Sequence, residues 1–194
     1  MRESLSTKIE THKVCHALLQ NPKFLSLLVQ IDAELAALTH ASGCPCGATL
    51  HRANYPRKPR GCPKEMRHAF DSRWSFCCSR CRKRVTSTSV RFLGRRIYLG
   101  LLVIFVPIRR AHMNAAAAQI VQLLAVPERT IARWRSWWVQ QFAATPLWRG
   151  ACARFMPSIC HERLPLSLVE RFTGQDAQRA LNMLVFLSPM SVQR

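Results

Sequence analysis

Two close pairs of cysteines, Cys44-Pro45-Cys46-Gly47 and Cys78-Ser79-Arg80-Cys81, constrain this chain more than any other feature. Zinc takes four soft or borderline ligands at the corners of a tetrahedron, and cysteines this close in sequence supply half of one from a single tight turn. Gly47 frees the backbone to turn directly after the first pair. Phe76 precedes the second pair and Arg82-Lys83-Arg84 follows it. The spacing therefore predicts a structural Zn2+ held by Cys44, Cys46, Cys78 and Cys81, closed to water and substrate because thiolates fill all four positions. Cys77 is an alternative to Cys78, and His51, Cys62 and His68 are weaker substitutes. Cys15, Cys152 and Cys160 have no partner spacing and read as packed or exposed thiols.

The stretch around these pairs is strongly basic. The chain carries 29 Lys and Arg against 10 Asp and Glu, a formal charge of +19. Residues 52–96 hold fourteen basic and two acidic residues, so they supply +12 of that excess. A merely solvated charged face mixes signs, and this segment hardly does. Self-repulsion on this scale is relieved by a polyanion, which makes nucleic acid the expected partner.

The N-terminus, Met1-Arg2-Glu3-Ser4-Leu5-Ser6, lacks the apolar run of a signal peptide, which predicts a reducing, cytoplasmic, nucleoid-associated setting rather than a disulfide scaffold. The apolar run from Ile97 to Ile108 is interrupted by Gly100 and Pro107 and is too short to cross a bilayer, which takes about 20 residues. It reads as core, and no membrane partner is expected.

The predicted fold is mainly α with a small β zinc ribbon and a helix-turn-helix unit after it. Residues 1–43 form an N-terminal helical segment, 44–96 the ribbon with its basic, proline-rich loop, 97–150 the helix-turn-helix domain, and 151–194 a helical tail. Pro22 to Ala41 has helical periodicity, with Phe24, Leu27, Leu28, Ile31, Leu35 and Leu38 on one side and Gly43 ending it. The loop Tyr55 to Pro63 contains three prolines, which excludes a helix interior or a central strand. Further helices are expected within 96–106, from about Asn114 to Leu124, from about Glu128 to Phe142, and near 165–172 and 175–187.

The two helices flanking the break Ala125-Val126-Pro127 form the candidate DNA-reading unit. Ile131, Trp134, Trp138 and Phe142 give the second helix an apolar stripe, so Arg129, Arg133, Ser136 and Gln140 face outward, with Thr130 on the flank. Those residue types suit a recognition helix: Arg pairs bidentately with guanine edges, Gln with adenine, and hydroxyls with phosphate or base. Arg109 and Arg110 are candidate phosphate contacts, as are Arg82, Lys83 and Arg84 after the second cysteine pair, and Arg57, Lys58 and Arg60 in the loop are candidates for contact with phosphates or a minor groove.

Together, Cys44-Pro45-Cys46-Gly47, Phe76 to Arg82, and Val126 to Trp134 resemble the zinc-ribbon and helix-turn-helix front end of bacterial transposases, over about residues 44–142. The chain also resembles short mobile-element proteins that carry this front end alone. The resemblance implies binding of double-stranded DNA as an accessory or regulatory component, with a transposase or a second copy as a further partner. It does not imply catalysis. A transposase nuclease needs three carboxylates holding two metals, and past Asp71 the acidic residues are only Glu128, Glu162, Glu170 and Asp176. An RNA-binding or ribosome-associated module, with Tyr55 and Trp74 stacking on bases, is the alternative. A third reading is an adaptor docking through Leu181, Leu184, Val185 and Leu187.

Overall fold

The computed structural model describes residues 14, 17–57, 62–93, 99–104 and 126–192. These are mainly helical, with a small antiparallel sheet. The expected helix from Asn114 to Leu124, Arg109 and Arg110, and Lys58, Arg60 and Cys15 lie outside the described residues.

Helix α1 (Pro22–Ala41) starts where the sequence dictates. The Asn21 side chain accepts a hydrogen bond from the Phe24 amide, and Pro22 fills the first turn, where its missing N–H is no loss. It ends at Gly43, whose φ of 68° is the left-handed conformation glycine adopts freely. Its buried stripe is rotated from the one periodicity predicts. Phe24, Leu25, Leu28, Asp32 and Ala36 face inward, while Leu27 and Leu38 are exposed. The cause is Asp32, which is drawn into the interior by an ion pair with Arg91 at 2.7 Å.

Strands β1 (Leu50–Arg52), β4 (Ser75–Cys78) and β5 (Arg84–Thr86) form an antiparallel sheet in the order β1-β4-β5. Leu50 pairs with Cys78 and Phe76 with Val85, so one face is apolar and closes against Ala36 of α1 in a small core. A two-stranded ribbon, β2 (Tyr55–Pro56) with β3 (Ser72–Arg73), flanks it. Pro56 is tolerated there because both strands are edges. The start of the proline-rich loop is thus paired backbone, and the short helix α2 (Arg67–Phe70) leads from it into β3.

A larger core joins the first and last of the described segments. Leu18, Leu25 and Leu28 share it with Phe70, Phe92, Leu101, Ile104, Trp138, Phe142, Leu168, Met183 and Leu187. Helix α3 (Gly100–Ile104) is wholly buried. Helix α4 (Glu128–Ser136) begins after Pro127, then widens into a π turn over Trp137–Gln141 and tightens to a 3-10 turn over Phe142–Ala144. Its stripe of Ile131, Trp134, Trp138 and Phe142 is buried as expected, and the Trp138 indole donates to the Val103 carbonyl at 2.9 Å. Helices α5 (Pro146–Ala151), α6 (Leu166–Val169) and α7 (Asp176–Leu187) complete the core. Leu184 and Leu187 are inside it and Leu181 is half-buried, so of the four residues suggested for docking a partner only Val185 is exposed.

Helix α1 is long and apolar enough by composition to cross a membrane, with a hydropathy of 1.2 over its 18-residue window. Its one buried acid and its inward stripe are committed to the protein's own interior.

Candidate metal centre and nucleic-acid interface

The first cysteine pair lies on the turn that links α1 to β1. Gly47, at φ 77°, donates its amide to the Cys44 carbonyl at 2.8 Å, and this closes the turn. The second pair spans the end of β4 and the turn into β5. There the Cys81 amide points at Cys78 Sγ, 3.4 Å away, and the Cys78 amide reaches the Lys83 carbonyl at 3.0 Å. Arg82 takes a left-handed backbone, φ 57°, to make this return.

These two turns bring the four sulfurs together. Cys44, Cys46, Cys78 and Cys81 present Sγ atoms that all lie within 4.8 Å of one another. The closest separations are 3.5 Å for Cys44 to Cys81 and Cys46 to Cys44, and 3.4 Å for Cys46 to Cys78. Disulfide bonding needs about 2.05 Å. A tetrahedral site with metal–sulfur bonds of about 2.3 Å has corners roughly 3.8 Å apart. The donor set fits a thiophilic metal ion.

The local fields differ between the thiols. The Cys46 amide lowers the pKa of Cys44, but burial and the neighbouring thiols of Cys46, Cys81 and Cys78 outweigh it and push it up to about 12. Burial opposes ionisation of Cys78, yet the amides of Cys81 and Arg80, with the Cys46 and Cys81 thiols, bring it down to about 6. Amide hydrogen bonds of this kind stabilise a metal-bound thiolate.

The sequence favours Cys78 as the ligand, with Cys77 as its alternative, and strand alternation separates the two. Cys78 is fully buried on the face of the cluster, whereas Cys77 pairs with His51 and Arg84 on the opposite face and points toward the Cys78 and Arg82 carbonyls. Cys62 belongs to the large core, where burial pushes its thiol up to about 11. His51 and His68 are exposed and outside the cluster. The cluster is roofed by the end of α1, where His40 packs on Phe76 with ring centroids 5.2 Å apart and donates from Nε2 to the Leu50 carbonyl at 2.8 Å.

Basic residues ring this module. Arg52, Arg80, Arg82, Lys83 and Arg84 are exposed, and Arg57 is half-buried. Arg80 also reaches the Cys46 carbonyl at 3.4 Å. Two arginines that contribute to the charge excess of 52–96 are internal instead: Arg73 and Arg91 are each 3% exposed. Arg91 pairs with Asp32 and donates to the carbonyls of Ala69 and Ser72, while Arg73 donates to the Ser87 carbonyl and to Ser191 Oγ. Ser89 Oγ closes the network on Asp32 at 2.5 Å. This hub, not anticipated from sequence, ties α1, α2, β3, the segment after β5 and the C-terminal turn together. Its one signal was an acid set among the apolar residues of α1.

Compared with family models, curated proteins and solved structures, the chain matches none. Geometry alone therefore carries the functional reading.

On α4, Arg129, Arg133 and Gln140 are exposed opposite the apolar stripe, and Ser136 Oγ donates to Gln140 Oε1 at 2.8 Å. Thr130 is not on that outward surface: it is 7% exposed and lies on the inward side with Ile131, because the helical turn starting at Pro127, whose carbonyl accepts from the Thr130 amide at 2.8 Å, exposes Glu128 and Arg129 and brings the next two residues inside.

Proposed function

We propose that Cys44, Cys46, Cys78 and Cys81 hold a structural Zn2+ in a ribbon-like module and that the chain binds duplex DNA. It would act as the recognition or regulatory component of a mobile element, as the transposase resemblance implies. The observation that carries this reading is the ring of exposed Arg80, Arg82, Lys83 and Arg84 on the turn and strand that the thiol cluster anchors. Such a module supplies sequence-independent grip on phosphates. The outward face of α4, with Arg129 and Arg133, supplies base contacts as the second half of a helix-turn-helix.

Duplex is favoured over single-stranded RNA by the state of the two candidate stacking rings. Tyr55 lies under Arg57 and Arg84, and Trp74 under Arg52, so each ring already has a guanidinium over it. The test is selection of bound sequences from a random duplex library by zinc-loaded protein, with excess nonspecific competitor. A recurrent motif that disappears on replacing Arg129 and Arg133 with alanine supports the reading, and a pool without any motif rejects base readout through α4.

A further inference from the structure

The sequence marks Tyr55 as a candidate platform for an unpaired base, but its surroundings give it a different task. The Arg57 guanidinium lies 4.2 Å from the ring centroid and that of Arg84 lies 5.5 Å away. Both are within the roughly 6 Å at which a cation is attracted to an aromatic ring. Arg57 follows Tyr55 by two residues on the same edge, and its amide extends the ribbon by bonding to the Asp71 carbonyl at 2.5 Å. Arg84 arrives from β5, on the far side of the sheet. Its Nη1 donates to the Ala53 carbonyl at 2.5 Å and to Ser75 Oγ at 3.3 Å. Its other N–H groups are given to no partner among the described residues.

The ring is itself held. Tyr55 is half-buried and sits directly opposite Arg73, which is locked into the interior by Ser87 and Ser191. Two arginines, one just past β2 and one on β5, thus converge on one fixed ring. Stacking uses the flat face of a guanidinium, whereas its N–H donors lie in the plane of the group, where they match phosphate oxygens. An arginine already ordered this way loses less rotamer freedom when a phosphate arrives.

We propose that Tyr55 is the positioning residue of a phosphate clamp, its ring orienting Arg57 and Arg84 toward the sugar-phosphate backbone of duplex DNA. This rests on the duplex-binding reading above and adds to it the residue that preorganises the grip. The acidic residues of the surrounding segment, Glu65 and Asp71, are outnumbered by exposed Arg52, Arg80, Arg82 and Lys83, so the surface around the clamp attracts a polyanion.

The experiment measures binding of the full-length, zinc-loaded chain to a labelled duplex across a salt series. It compares the native protein with Tyr55→Phe, Tyr55→Leu, Arg84→Lys and Arg84→Ala, each checked for bound zinc. Tyr55→Phe keeps the ring and retains affinity. Tyr55→Leu loses roughly fivefold, as expected when two guanidinium side chains must then be ordered on binding, with the slope of log K against log salt unchanged because the charges remain. Arg84→Lys behaves like Tyr55→Leu, and Arg84→Ala also reduces the slope by about one. The clamp is overturned if Tyr55→Leu binds like the native protein, or if Tyr55→Phe falls as far as Tyr55→Leu. It is equally overturned if Tyr55→Leu spares the duplex and abolishes binding of a single-stranded RNA, since the ring is then a base platform. A native protein with no salt-dependent duplex binding overturns the functional reading itself, which separates the two failures.

Discussion

Asp32 makes contacts that no other carboxylate in the described chain makes. It accepts from Ser89 Oγ, from the Val90 amide and from Arg91 Nε, all out of solvent. Removing one partner of a buried ion pair leaves a charge without compensation and typically costs about 3–5 kcal/mol. Asp32→Ala should therefore lower the urea midpoint by that equivalent. Replacing Asp32 and Arg91 together with Leu and Met should recover only part of it, since the Ala69 and Ser72 carbonyls lose their donor. Cys62 offers a pH test at the same scale. Burial raises its folded pKa to about 11, above the ordinary thiol value of 9.0. The folded state therefore holds the proton more tightly than the unfolded one, and the stabilisation, complete below about pH 9, is lost as pH rises toward 11. Denaturation at pH 8 and pH 10 should show a larger drop for the native chain than for Cys62→Ala.

Elements differ in how far sequence specifies them. Helix α1 was legible at both ends because Asn21, Pro22 and Gly43 act locally, but its inward face was not, since the pull on Asp32 comes from Arg91, 59 residues away. The cysteine pairs announced their cluster through spacing, and the preference for Cys78 over Cys77 agrees with the register of β4 against β1 and β5, which puts Cys78 on the cluster's face and Cys77 on the other. The stripe of α4 was readable from periodicity, whereas the π turn at Trp137–Gln141 was not, because a fit of Trp137, Trp138 and Phe142 against one another has no local sequence signature. Packing of α3 on α7 was equally hidden. A Cβ at Gly100 would sit 2.8 Å from Leu184 Cδ2 and 3.2 Å from the Val90 carbonyl oxygen. The leucine tip can yield but the backbone oxygen cannot easily do so, so Gly100→Ala should destabilise by about 1–3 kcal/mol in a thermal or urea melt.

For the whole molecule, the large core buries both ends of the described chain together, while the cysteine module has only a small core of Ala36, Cys44, Leu50, Phe76 and Cys78. Five buried residues are few for an autonomous unit, and modules of this size draw folding free energy from a metal, of order 10 kcal/mol. The proposed division of labour follows from that arrangement: a metal-fixed basic surface for grip, and an α4 face carried by the large core for readout. Arg133→Ala should relax preference at one base position in a competition assay, whereas Arg57→Ala should weaken all duplexes alike and lower the salt slope by about one. The most direct test of the whole account is a titration of Zn2+ into metal-stripped protein, following bound metal and affinity for a duplex together. The account predicts one ion per chain, with duplex affinity rising in step with occupancy and both lost in Cys78→Ser. Duplex binding that is indifferent to the metal, or a chain that takes up none, would contradict it.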